Sequence, residues 1–241
     1  MVALQGFILL VLSGWYGSAF GQAKKLVLNT GYPPPITSPD KTGFLDLLYG
    51  ELFRRLDIPF EIQFLPSERA LLNANEGIDD GDVCRVPDLG KMSANMVRTT
   101  EPIFHYRLVA FSRDRQFRVN GPDSLKPYDI GIAIGWKLLE WKLTQHKSRT
   151  MVDSPEQLFR MLDQGRVEVV IIDQAVGMEQ VRRLGLSGVK ILSPPLFTGD
   201  WHLYLHRRHA ALIPVIDREL RRMKKDGSFE RIRRGALGQY D

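Results

Sequence analysis

The chain has 241 residues, of which 44% are hydrophobic and 25% charged, and its formal net charge is +5. This balance belongs to a globular protein with a sizeable core and excludes a disordered or collagen-like chain. The single cysteine, Cys84, excludes an intramolecular disulfide, so folding must rest on packing alone.

Met1 to Gly21 carries no charged side chain. An apolar run from Gly6 to Leu12 is followed by small and aromatic residues ending Ala19-Phe20-Gly21, and Lys24 and Lys25 come next. An apolar core too short to span a bilayer, with small residues at the −3 and −1 positions, reads as a secretory signal peptide over 1–21. The expected location is therefore the periplasm, since an exported protein without disulfides suits a bacterial envelope. Export excludes most ATP- and NAD-dependent cytosolic chemistry.

Leu26 to Asn29 reads as a strand that Gly31-Tyr-Pro-Pro-Pro35 breaks into a loop. Leu45, Leu48, Leu52 and Leu56 recur at helical spacing and predict a helix over 43–56. Phe60 to Phe64 alternates as a strand does. Ser67 is placed to cap a helix through Asn75, with Gly77 to end it. Ile103 to Phe111 is strand-rich. A second block opens near Arg113, with a strand at Ile130–Ile134 and a helix from Trp136 to about His146. Ser154-Pro-Glu-Gln157 is a helix start with a serine cap and proline at the first position. The run Val167 to Ile172 is a buried strand ending at Asp173, and a helix from Gln174 to Leu184 follows. Strands at Val189–Leu192 and His202–His206 precede a C-terminal helix and a shorter one after Gly227. Alternating strands and helices in two blocks predict an α/β architecture with mostly parallel sheets. Strands running across near 108–114 and 194–202 would supply a hinge between the blocks.

Ten Lys/Arg against four Asp/Glu fall between Leu203 and Arg234. No stacking aromatic array or nucleic-acid motif accompanies them, so the reading is a solvated face of the C-terminal helices with no nucleic-acid partner. Asp79, Asp80 and Asp82 lack the spacing of a calcium loop and read as a solvated turn. His202 and His206 share a strand face without a third ligand, so no metal is expected. Cys84 reads as a buried, inert thiol. No nucleophile elbow, phosphate loop or HExxH pattern occurs.

A series of local patterns resembles the bacterial periplasmic solute-binding proteins of the amino-acid-binding type, extracellular solute-binding family 3. The series runs through the Tyr-Pro-Pro loop, Gly43-Phe-Leu-Asp46, Arg69-Ala-Leu71 before Asn75-Glu-Gly-Ile-Asp79, and Thr100-Glu-Pro102. It continues through Gly135-Trp136, Gly165-Arg-Val-Glu-Val-Val-Ile-Ile-Asp173 and Met223-Lys-Lys-Asp-Gly-Ser-Phe229. The resemblance implies a two-lobed periplasmic-binding-protein type II fold with two crossing hinge segments. Lobe 1 would comprise 22–110 and 198–241, and lobe 2 would comprise 111–197. It further implies a monomer without cofactors that captures a small polar ligand, an amino acid or derivative, for a membrane permease or sensor protein.

In that family an Arg holds the ligand carboxylate and an Asp at the end of a second-lobe strand holds the ammonium, which here falls on Asp173. That aspartate can equally be the N-cap of the helix it precedes. The family's Thr-x-x-Arg motif is absent, and Arg85, Arg69 and Lys91 remain alternatives for the carboxylate. Tyr32, in its proline-stiffened loop, and Trp136 are candidates for the pocket wall or for plain core. Trp136 and Lys137 stand at a helix N-terminus, which offers free N–H groups to an anion. The rival function is an exported enzyme on the same fold, of the cyclohexadienyl-dehydratase kind, with Glu68, Asp173 or Glu140 as the acid.

Overall fold

A computed structural model describes residues 25–87 and 89–240. Residues 1–21, read above as a signal peptide, lie outside them. In chain order the elements are β1 (Leu26–Thr30), α1 (Phe44–Leu56), β2 (Phe60–Phe64), α2 (Ser67–Glu76), β3 (Gly81–Arg85), β4 (Met96–Arg98) and β5 (Phe104–Ser112). Then come β6 (Asp129–Ala133), α3 (Lys137–Lys142), β7 (Ser148–Val152), α4 (Pro155–Asp163), β8 (Val169–Asp173), α5 (Gln174–Leu184), β9 (Lys190–His206), α6 (Ile213–Lys225) and α7 (Ser228–Leu237). The strand order is β2-β1-β3-β9-β5-β8-β6-β7, with β4 paired to β9.

Each end of this order is a parallel trio: β2-β1-β3 in one half and β7-β6-β8 in the other. The long strands β5 and β9 lie between them, antiparallel to each other and to the trios they join. Crossovers through α1, α2, α3 and α4 permit the parallel pairing; strands running back across need none. All five residues of β8, Val-Val-Ile-Ile-Asp, are buried, the continuous apolar run of a strand covered on both faces. One contiguous apolar core runs from Leu28, Phe44 and Leu48 to Phe159, Val170 and Ile171.

Local chemistry sets the ends of the elements. Ser154 accepts the Gln157 N–H and caps α4, as its sequence predicts. Asp57 ends α1 in the left-handed region at φ 54°, a place more often taken by glycine. Ser67 does not cap α2: it is the first helical residue, and its hydroxyl donates to the Gly31 carbonyl instead. Helix α3 stops at Lys142, short of His146, because the chain turns there into β7, an edge strand pairing only with β6. The two short strands predicted near the end are one, the 17-residue β9. Its Pro194 and Pro195 are tolerated because the register breaks there: Leu108 faces Phe197 and Ala110 faces Leu192, so four residues oppose Val109 alone.

The three aspartates are buried, not a solvated turn, because each has donors from elsewhere. Asp79 takes Asn29 and Asn73, and Asp80 takes the Val27 N–H, Arg208 and His209. Asp82, fully buried, takes Arg85 and the Cys84 N–H. Cys84 is buried, and burial pushes its thiol well above the ordinary range. The basic C-terminal residues are extensively ion-paired, for example Arg222 with Glu219, Lys224 with Glu101, and Arg233 with Glu230.

Candidate functional site

The loop after β1, the end of β3 and the turn after β6 converge on a cavity of about 20 Å³. Tyr32, Arg85, Trp136, Lys137 and Trp201 line it, with Leu108 and Gly135. Four of the six sequence candidates are thus brought together. Arg85 ends β3, 5% exposed. Its Nε donates to Asp82 at 2.6 Å and its Nη2 to the Ser67 carbonyl at 2.6 Å, while Nη1 reaches the Gly135 carbonyl on the other side at 3.4 Å. Burial pushes the Asp82 carboxyl up against the pull of Arg85.

The aromatic wall is continuous. The ring of Tyr32 lies 5.0 Å from that of Trp136 and 4.5 Å from that of Trp201, centroid to centroid. Burial raises the Tyr32 hydroxyl well above the ordinary tyrosine range. At the mouth, Lys137 bridges Glu68 of α2 and Glu140 of its own helix, the latter at 2.9 Å. Burial pulls the Lys137 ammonium down, but these carboxylates outweigh it and hold it above the ordinary lysine value. Glu140 also accepts the Gly135 N–H at 2.6 Å. The two walls touch at Gly135, where a Cβ would fall 2.5 Å from Ser67 Cβ and 2.7 Å from the Glu68 nitrogen.

Asp173 is 2% exposed, and its Oδ1 caps α5 by accepting the N–H groups of Ala175 and Val176 at 3.0 and 3.4 Å. Burial raises its carboxyl to about 6, against the lowering effect of these N–H groups and of Arg107. It stands in register with Leu108, which lines the cavity. Arg69 is exposed on α2, and Lys91 is exposed in the 3-10 turn Gly90–Ser93. Neither lines the cavity.

Sequence reading missed Trp201, Ser67 and Asp82, the partner of Arg85. The first two lie in ordinary strand and helix-start contexts and carry no local signal. On the far side of Trp136 a larger pocket of about 290 Å³ is lined by Gly31, Phe64, Ser67, Gln180 and Arg183. Trp136 lines both spaces. The inner one has room for about one water molecule, the outer for a small solute. Among the described residues no cluster of His, Cys, Asp and Glu could hold a metal ion, and no helix is long and apolar enough to cross a membrane.

No family model matches the chain. An uncharacterized protein of Shewanella oneidensis is 26% identical over 208 residues, 81% of this chain and 76% of its own. Among solved structures, a histidine kinase sensor domain with similarity to periplasmic binding proteins superposes with a TM-score of 0.78 at 16% identity. That likeness covers 90% of this chain and 97% of the sensor domain. The fold is that of the periplasmic binding proteins. Two more structures share this fold. The GluR0 ligand-binding core in complex with L-glutamate gives a TM-score of 0.77 at 15% identity over 90% of this chain and 100% of that one. An ancestral arginine-binding protein bound to glutamine gives 0.74 at 21% identity over 89% and 98%.

Proposed function

We propose that the protein is an exported solute-binding receptor that closes two lobes, 22–110 with 198–241 and 111–197, over a small polar ligand. The observation that carries this is Arg85: a buried guanidinium on one wall that reaches a backbone carbonyl on the other, inside an aromatic cavity. A fixed cation in a water-poor cleft is what a ligand carboxylate needs, because charge-assisted bonds gain strength there. Asp173 supplies the opposite charge at the carboxyl end of β8, the end at which open α/β sheets receive ligands. The Trp136 indole swings or shifts to join the inner and outer spaces, so that an amino acid or derivative lies with its carboxylate toward Arg85. Closure is a population shift, which requires the ligand to bind the closed form better than the open one. The partner is a membrane permease or sensor that reads the closed form. Two of the three solved structures named above hold an amino acid, which favours this reading over a dehydratase-like enzyme. In addition, the acids Glu68 and Glu140 are both engaged by Lys137.

The test is a thermal-shift panel of amino acids, polyamines, organic acids and short peptides, run on the mature chain and on Arg85→Lys and Asp173→Asn. A ligand at 100 times its Kd stabilises the folded state by about 2.7 kcal/mol. The expected outcome is an amine-bearing carboxylate that raises the melting temperature of the parent chain and loses most of that effect in both variants. A hit whose shift is untouched by either substitution would remove the cleft as its site.

A further inference from the structure

A second cavity, of about 420 Å³, lies on the sheet-crossing strands and the C-terminal helices. Phe104 and Arg107 of β5, Lys224 of α6, and Phe229 and Arg233 of α7 line it. Its size falls within the range of small-molecule sites, about 300–1,000 Å³. Its floor is aromatic and held in place: the rings of Phe104 and Phe229 both pack against the buried Phe44, at 5.3 and 6.1 Å between centroids.

The polar groups around this floor are mostly cationic. Three permanent cations, Arg107, Lys224 and Arg233, share the lining with one carboxylate, Asp200, which lies 3.0 Å from the His105 ring nitrogen. Two nearby acids lie outside the lining: Glu101 takes one Lys224 bond at 2.6 Å, and Glu230 takes Arg233 at 2.9 Å. Lys224 also donates to the Pro102 carbonyl, and its ammonium lies 5.3 Å from the Phe229 ring centroid. Cations fixed at the rim of a carbon-lined hollow favour an anion that carries an apolar body, since each part then meets its complement.

We propose that this cavity is a second binding site, for a small organic anion with an aromatic or branched apolar body. It does not rest on the cleft reading: none of its lining residues lines the cleft cavity, and its link to the cleft is Arg107, which also acts on the Asp173 carboxyl. Since Phe104, His105 and Arg107 lie on β5 and Asp200 lies on β9, an occupant would bridge the two strands joining the halves of the fold and stiffen them.

The experiment uses benzoate as the probe, with benzamide and benzylamine as neutral and cationic isosteres. Binding is followed by backbone amide NMR shifts in the mature chain and in Arg107→Gln, Arg233→Gln and Lys137→Gln. The expected result is saturable benzoate binding at least fivefold tighter than benzamide and tenfold tighter than benzylamine, with shifts centred on 104–107 and 224–233. Each arginine variant weakens it at least threefold, while Lys137→Gln, in the cleft, leaves it unchanged. Benzoate binding no tighter than benzylamine would overturn the proposal. So would parental affinity in both arginine variants, or loss in Lys137→Gln, which would place the probe in the cleft.

Discussion

Gly135→Ala tests whether the cleft closes as the structure has it. Gly135 has φ +82°, and an added Cβ would meet Ser67 Cβ at 2.5 Å and the Glu68 nitrogen at 2.7 Å. The first cost is conformational, about 1–2 kcal/mol for an L-residue forced to positive φ. The second is steric. Carbon atoms pack at about 3.5–4.0 Å, so the α2 wall would have to retreat by roughly 1 Å, and the obstructing atoms include backbone that cannot rotate away. The cheapest relief is to part the walls. That sacrifices the long Arg85–Gly135 contact and the Lys137–Glu68 pair, but leaves each half of the core untouched. Gly185→Ala is the matched control, since it has φ +62° and nothing within 4 Å of its added Cβ. Both variants should lose about 2–8 °C of melting temperature from the backbone cost. Only Gly135→Ala should show a larger radius of gyration by small-angle X-ray scattering and a red-shifted tryptophan emission, as Trp136 and Trp201 leave their contacts with Tyr32. Identical scattering and emission from the two variants would refute the reasoning.

Other perturbations probe the buried groups around the cleft and the C-terminus. Asp173→Asn keeps an N-cap residue of equal quality but removes a carboxyl that burial raises from 3.8 to about 6. A raised acid binds its proton more tightly when folded, so its contribution favours the native state at low pH and is lost as pH rises from about 4 through 6, by about 3 kcal/mol. Denaturant titrations at pH 4 and pH 7 should therefore show the variant gaining on the parent at the higher pH; parallel stabilities would contradict the burial argument. Glu51 is held down at about 2 by Arg54 and Arg55. Its stabilisation is present above 4.5 and lost as pH falls toward 2, so Glu51→Gln should flatten the acid limb of the melting curve there. The Tyr240 hydroxyl donates to Glu179 at 2.7 Å, tying the C-terminal turn to α5. Tyr240→Phe should cost about 1.5–3 kcal/mol, the range for a bond to a charged group, read as a lower denaturation midpoint with unchanged slope.

The fold was legible wherever burial writes a period into the chain. The leucines of α1, the unbroken Val-Val-Ile-Ile run of β8 and the serine-proline start of α4 each follow from one local rule. The parts that escaped are those set by distant neighbours. β7 pairs along one edge only, so Ser-Arg-Thr-Met-Val carries no clean alternation. The prolines of β9 read as a break because nothing local reveals that the strand bulges there, four of its residues facing Val109 alone. Asp79 and Asp80 read as solvated because their donors, Val27 and Asn29 of β1, Asn73 of α2, and Arg208 and His209 after β9, come from three other segments.

The same limit applies to the cleft, and Arg85 shows it most sharply. Within a regular strand, residues three apart point to opposite faces, so Gly81-Asp-Val-Cys-Arg85 offers no reason to pair Asp82 with Arg85. The strand is not regular: the β3–β9 register shifts between these two residues, and the shift brings carboxylate and guanidinium to one side at 2.6 Å. This pairing lets a guanidinium remain charged 5% exposed, because removing either partner would leave a buried, uncompensated ion. Arg85 is thus supported from behind by Asp82 and aimed from the end of its strand at the opposite wall. Under the proposed closure, an arginine held this way would keep its position in both forms, whereas Lys137, whose partners come from both walls, would change partners. The proposal thus gives the two cations separable roles, a fixed anchor and a movable clasp. Substituting Lys137 should alter the balance between open and closed forms without removing the charge a ligand carboxylate meets.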